Sequence, residues 1–240
     1  MSLTLAASAA IIALASFVMG LAGFGIALVA LAFLPFVMSP VPAIVLVTLY
    51  ALVFSVAMIV PLRREIEPVR LTQLLVGSIA GTPLGVWGLA TLPLGVINRL
   101  IGVVLIVVVA LEWWRVTPHR LTGPGWGLSA GALAGVMGGA IGTPGPPVIL
   151  YAAAQGWGPR AMKANLLAFF IVNQAVILAG YWWAELLTRD VLSLSVVLAV
   201  PAVAGVAAGV ALFNRIDAVR FRQIVFGVLL LSGVVLLARG

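Results

Sequence analysis

The chain has 240 residues, of which 64% are hydrophobic and only 8% are charged, and its mean hydropathy is +1.27. A soluble domain needs far more charge on its surface, so this composition excludes one. No charged residue precedes Arg63, and a bilayer core takes about 20 apolar residues per helix. The sequence therefore predicts a multi-pass membrane protein in a lipid bilayer. The net charge of +7 is scattered over short loops, which excludes a nucleic-acid partner.

Six segments have the length of one membrane-spanning helix. Short loops that carry charges or turn residues separate them, as at Arg63–Glu65. We expect Pro83 and Pro201 to kink two of these helices, because proline lacks the N–H that continues the helical ladder. The six segments are 42–61, 72–92, 95–114, 162–184, 191–213 and 221–238.

Two further apolar segments are too long for a single span. Residues 2–38 would form a helix of about 55 Å at 1.5 Å per residue, and residues 125–157 are similar. Three glycines within Gly20–Gly25 interrupt the first segment, and "GGAIGTPGPP" (Gly138–Pro147) interrupts the second. Glycine and proline are unfavourable inside helices, so each segment is predicted to be a broken helix.

The two halves of the chain resemble each other in the same order along the sequence. This order favours an internal duplication over the alternative that any two glycine-rich apolar stretches look alike. The fold class is therefore predicted as an all-α polytopic membrane protein with membrane repeats at 1–122 and 123–240. Each repeat is a glycine-broken segment plus three transmembrane helices. The matching stretches are "FVMGLAGFG" (17–25) with "GVMGGAIGT" (135–143) and "SIAGTPLGV" (78–86) with "AVAGVAAGV" (202–210).

The distribution of basic residues bears on how the broken segments cross the membrane. If each spans once, the thirteen basic residues divide almost evenly between the two sides. If each is a re-entrant hairpin, only Arg99, Arg189 and Arg239 lie opposite the rest. The positive-inside rule favours the hairpin, with both termini outside and the second repeat inverted. Whether the segments span or re-enter stays open at this point.

A helix break at membrane depth is tolerated only where protein buries it or water reaches it. The arm that follows a break leaves its first N–H groups unpaired at the positive end of the helix dipole, which favours an anion. Pro146 suits a first helical turn, Thr143 offers a hydroxyl, and Gly142 and Gly145 allow close backbone approach. We predict that two broken helices bind an anion at the membrane midplane. The alternative is a kink or a tight helix crossing without a ligand.

Three stretches of the chain carry a family resemblance: "GLAGFGIALVALAFLPF" (Gly20–Phe36), "GALAGVMGGAIGTPGPPVILYAAAQGW" (Gly131–Trp157) and "AVAGVAAGVALFNRI" (Ala202–Ile216). Together they resemble the TauE/SafE-type sulfite exporter family. The resemblance covers nearly the whole chain and includes the duplication. It implies a polytopic permease or exporter of sulfur-containing or organic anions such as sulfite, sulfonates or sulfoacetate.

Polar residues of the spans complete the set of candidate substrate-binding residues. Asn165, Asn173 and Gln174 follow the second break, and Ser55 occupies a place in the first half similar to that of Asn173. Such side chains line an anion path or form interhelical hydrogen bonds. The candidates are Gly23, Phe24, Gly25, Gly142, Thr143, Pro144, Gly145, Pro146, Ser55, Asn165, Asn173 and Gln174.

The chain has few groups for catalysis or metal binding. It has no cysteine, one histidine and no carboxylate deep in any span, so we expect no enzyme, metal or cofactor. If transport is coupled to protons, we expect the substrate itself to be protonated and to carry the proton across. Glycines spaced four residues apart predict close helix packing. We expect a transporter of small anions in the bacterial inner membrane, and a homodimer is an alternative that the sequence leaves open. The alternative is a non-transporting accessory protein that assembles with a partner.

Overall fold

A computed structural model describes residues 3–114, 123–212 and 218–239, and all regular structure within them is helical. The predicted repeat boundary at 122 and the end of the 202–216 motif lie outside the described residues. The helices are α1 (Leu3–Ala22), α2 (Ile26–Phe33), α3 (Pro40–Ile59), α4 (Pro68–Thr91), α5 (Leu94–Trp113), α6 (Pro124–Ile141), α7 (Gly145–Ala154), α8 (Pro159–Trp183), α9 (Arg189–Val197), α10 (Ala199–Leu212) and α11 (Ala218–Arg239).

The helices confirm the predicted all-α multi-pass membrane architecture. Among the described residues, five helices are long and apolar enough to cross a membrane, and the pair of α9 and α10, which is bent by 52°, counts as a sixth span if the pair crosses as one. Pro201 lies in the first turn of α10, where its missing N–H leaves one helical bond unmade and permits the bend. Pro83 lies inside α4, which continues through it.

The chain forms two compact units, and each takes helices from both halves of the sequence. The first contains the described residues of Met1–Val47, Leu92–Val116 and Thr188–Gly240. The second contains those of Thr48–Thr91 and Thr117–Leu187. Consequently α1 packs on α10 in the first unit, and α4 packs on α6 in the second.

Glycines allow α4 and α6 to pack backbone against backbone in the second unit. A Cβ at Gly81 would overlap the carbonyl oxygen of Ala132, and a Cβ at Gly85 would overlap that of Val136. Only glycine admits such an approach, as in the small-residue interfaces of membrane helices. The prediction that the four-residue glycine spacing serves helix packing is confirmed.

The first unit repeats this packing with equivalent residues. A Cβ at Gly205 would overlap the carbonyl oxygen of Ala13, and a Cβ at Gly209 would overlap that of Phe17. The two acceptor residues lie 119 positions before Ala132 and Val136, their counterparts in the second unit. Such repeated contacts are expected of an internal duplication in which a helix of each half packs against a helix of the other half, as α1 does with α10 and α4 with α6.

The repeated contacts also fix how the two halves align at the broken helices. A Cβ at Gly20 would press on the backbone oxygen of Val206, as a Cβ at Gly139 would press on that of Thr82. By these contacts, Gly20 corresponds to Gly139. The tripeptide Val-Met-Gly, which occurs in both halves, would instead align Gly20 with Gly138, one residue earlier. The division into repeats at 1–122 and 123–240 stays a prediction.

Gly81→Ala and Gly205→Ala should destabilise the protein to a similar extent, by about 1–3 kcal/mol each, because the added methyl group forces the paired helices apart. Unfolding in mixed detergent micelles measures this. Gly227→Ala is the control, because a Cβ there meets no atom within 4 Å. Equal stabilities for all three variants would contradict the packing described.

Candidate functional site

The first broken helix turns back on itself at two left-handed glycines. Gly23 has φ 82° and Gly25 has φ 95°. The Gly23 N–H donates to the Met19 carbonyl at 2.7 Å, which ends α1 with a left-handed cap. A Cβ at Gly25 would lie 3.5 Å from Val18 Cγ1, whereas residues seven apart in a continuous helix are separated by about 10 Å. The chain therefore reverses locally before α2 begins at Ile26.

The second broken helix uses the same cap. Gly142 has φ 66°, and its N–H donates to the Gly138 carbonyl at 2.8 Å. A Cβ at Gly138 would lie 3.1 Å from Pro144 Cβ, so this chain also turns back before α7 begins at Gly145. The predicted interruption of both long apolar segments is confirmed.

The two breaks differ in the backbone donors that they offer. The first turn of α2 carries the N–H groups of Ile26, Ala27 and Leu28, which precede the first intrahelical bond. In α7, Pro146 and Pro147 have no N–H, so Gly145 is the sole donor of the first three positions. The sequence predicts several backbone donors at each break. At the second break, the first three positions of α7 offer one donor, the Gly145 N–H.

Two buried side chains lie at the second break with a polar atom unused. Thr143 is 3% exposed and Asn173 is 1% exposed. Neither Thr143 Oγ1 nor Asn173 Oδ1 has a hydrogen-bond partner among the described residues. Asn173 Oδ1 lies 3.5 Å from the position that a Cβ at Gly138 would take, the same position that Pro144 approaches. The break and the helix beside it thus carry three groups that make no hydrogen bond among the described residues: the Gly145 N–H, the Thr143 hydroxyl and the Asn173 amide oxygen.

One face of α8 packs against the C-terminal end of α6. Asn173, Ile177 and Tyr181 are spaced four residues apart and all reach Gly138. The Tyr181 hydroxyl lies 3.1 Å from the Gly138 carbonyl and 2.9 Å from the Gly139 carbonyl. It also forms a hydrogen bond with the Thr48 hydroxyl. The bond to Gly139 satisfies a carbonyl that the helix end leaves without an intrahelical donor, and the bond to Gly138 adds to the one that its carbonyl already accepts from the Gly142 N–H.

Two residues of this arrangement were not among the predicted site residues. Ser78 of α4 is fully buried, and its hydroxyl accepts a hydrogen bond from Asn173 Nδ2. Tyr181 holds the end of α6, as described above. The four-residue spacing from Asn173 to Tyr181 is the sequence signal that could have found the tyrosine. Nothing in the sequence marks Ser78, because its role depends on how α4 packs against α8.

The remaining polar candidates are placed differently. Asn165 has both side-chain atoms engaged: Oδ1 accepts from the Glu67 N–H at 2.9 Å, and Nδ2 donates to the Ala161 carbonyl at 2.8 Å. It ties α8 to the segment before α4. Ser55 and Gln174 are buried, and each leaves an oxygen without a partner among the described residues. They stay candidates, without a contact that places them at the break.

The chain belongs to the family described as Sulfite exporter TauE/SafE, whose sequence model matches residues 8–236. No curated protein and no solved structure matches the chain. The family and the membrane-spanning helices together support a membrane permease or exporter of sulfur-containing anions.

Tyr181→Phe should lower the free energy of unfolding by about 1–3 kcal/mol, because it removes the hydroxyl donor of the Gly139 carbonyl. Thr91→Val is the control, because its hydroxyl bonds only to the Trp87 carbonyl of its own helix at an exposed site. Detergent-based unfolding measures both variants. A Tyr181→Phe protein as stable as the control would contradict the role of Tyr181 at the end of α6.

Proposed function

We propose that this protein carries small sulfur-containing or related organic anions, such as sulfite, sulfonates or sulfoacetate, across the bacterial inner membrane by alternating access. The second break is one of its binding elements. There the Gly145 N–H and the Thr143 hydroxyl donate to the anion, and the dipole of α7 adds to the attraction. At the first break, Ile26, Ala27 and Leu28 offer N–H donors of the same kind.

The observation that carries the proposal is the unused hydroxyl of Thr143. A buried hydroxyl without a partner costs roughly 1–3 kcal/mol. Thr143 lies directly before the first turn of a helix, where an anion is favoured, and it is 3% exposed. A ligand that accepts its hydrogen would remove this cost. The same interpretation accounts for the close approach allowed at Gly145, where a Cβ would have only ordinary contacts with Ile149 and Phe170.

The repeated contacts of the glycine helices support the internal duplication that this mechanism needs, and the inversion of the second repeat stays a prediction. The local reversals at Gly23–Gly25 and Gly142–Pro144 support re-entrant segments. The sequence-based expectation that both breaks serve one anion, and that the protein forms a homodimer, stays a prediction.

Thr143→Val should lower the flux of sulfite or a sulfonate into proteoliposomes by about tenfold, the equivalent of one hydrogen bond of about 1.4 kcal/mol. The same variant should be as stable as the parent protein or more stable, because it removes an unpaired buried hydroxyl. Thr72→Val is the matched control, since its hydroxyl bonds to the Pro68 carbonyl of its own helix on the exposed surface. Unchanged flux in Thr143→Val would refute the role of this hydroxyl.

Gly145→Leu separates transport from the alternative of a non-transporting accessory protein. A leucine side chain would fill the space beside the only backbone donor of this turn. A transporter should lose anion flux and still purify as a folded protein. If the protein is an accessory protein, the parent chain should show no anion flux, and the Gly145→Leu variant should no longer assemble with its partner. Either result would overturn the proposed function.

A further inference from the structure

Within the part of the chain that the structure describes, one polar atom of the buried Asn173 amide is hydrogen-bonded and the other is not. Its Nδ2 is held by the Ser78 hydroxyl. Its Oδ1 lies 3.5 Å from the position that a Cβ at Gly138 would take, with no hydrogen-bond partner among the described residues. The side chain is 1% exposed, so bulk solvent does not satisfy this oxygen. Within the described residues, the break therefore has an unused acceptor, Asn173 Oδ1, as well as the unused hydroxyl of Thr143.

An amide oxygen carries only lone pairs and cannot donate a hydrogen bond. Facing a bare oxyanion, it would set negative charge against negative charge in a medium of low dielectric. It contributes favourably only when the ligand supplies a hydrogen. A site that includes such an acceptor rejects an analogue without the hydrogen, because the buried oxygen then stays unpaired.

The basic residues of α8 are too far along the helix to supply that hydrogen. Lys163 and Arg160 precede Asn173 by ten and thirteen residues, which corresponds to roughly 15–20 Å along a helix. The other hydroxyl near the end of α6, that of Tyr181, is directed at the Gly138 and Gly139 carbonyls. The acceptor of Asn173 is thus left for the ligand.

We propose, on the basis of the function proposed above, that the transported anion carries its own hydrogen-bond donor next to its charged group. The donor is a hydroxyl, including a protonated oxygen of the anion itself, or an ammonium. It binds Asn173 Oδ1 while the charged oxygens accept from the Thr143 hydroxyl and the Gly145 N–H. Ser78 is a positioning residue that keeps Oδ1 turned toward the break.

Matched anions test this selectivity on the purified full-length protein. Ethanesulfonate has no donor, 2-hydroxyethanesulfonate adds a hydroxyl, and 2-aminoethanesulfonate adds an ammonium whose positive charge makes the molecule a zwitterion. Methanesulfonate and singly protonated sulfite form a second pair at one fixed pH. Binding is measured by thermal stabilisation and transport by counterflow in proteoliposomes. At least one donor-bearing anion should bind about tenfold or more tightly than its partner without a donor, and the pair that shows the preference identifies the source of the hydrogen.

Two variants assign the preference to Asn173. Asn173→Leu should bring the affinity ratio close to one. Ser78→Ala should reduce the ratio while affinity for the anion without a donor is kept, because the freed amide can turn its Nδ2 toward the break. Thr72→Val should leave the ratio unchanged. If Asn173→Leu does not fold, the ratio in Ser78→Ala decides.

The outcomes distinguish this inference from the proposed function. If none of the anions binds or moves, the proposed function itself fails. If the anions bind but those without a donor bind as tightly or more tightly, the proposed function stands and the inference is overturned. That second result would mean that Asn173 Nδ2 faces the break and Ser78 donates to Oδ1.

Discussion

Backbone polar groups cannot be left unpaired in hydrocarbon, and both broken helices of this protein are arranged to meet that constraint. Each first arm ends in a left-handed glycine whose N–H returns to a carbonyl of the last turn, Gly23 to Met19 and Gly142 to Gly138. At the second break, the Tyr181 hydroxyl also lies within hydrogen-bonding distance of the Gly138 and Gly139 carbonyls. The carbonyl side of that break is therefore largely satisfied, whereas the donor side, at the start of α7, keeps unused groups. This imbalance is what makes an anion the expected ligand.

The glycines have two separate functions in this chain. Those of α4, α6 and α10 remove side chains so that helix backbones can touch, and they hold each compact unit together. Gly23, Gly25 and Gly142 instead adopt backbone conformations that other residues avoid. The prolines of α7 have a different effect. Both suit the first turn of the helix, but they have no N–H and so reduce the number of backbone donors there. The second break thus relies on Gly145 and side chains, whereas the first break has three backbone donors.

Much of the fold could be predicted from hydropathy and composition, because the bilayer restricts spanning segments to helices of known length. The helices, the two interruptions and the glycine packing followed from these constraints. The contributions of Ser78 and Tyr181 did not, since a helix that is apolar on all sides gives little indication of which face meets protein. The one-residue error in aligning Gly20 shows the same limit, because the letters Val-Met-Gly matched where the backbone contacts did not. Asn165 shows the opposite case. The sequence predicts that it binds the substrate because it is polar and lies on α8, but its side chain instead bonds α8 to the segment before α4.

The central claim is that an anion binds at the start of α7. A crystal structure of the protein with selenite, which replaces sulfite with an anomalously scattering analogue, tests it most directly. The account predicts an anomalous peak within hydrogen-bonding reach of the Gly145 nitrogen and Thr143 Oγ1. A selenite bound elsewhere, with these two groups paired to protein atoms, would contradict it.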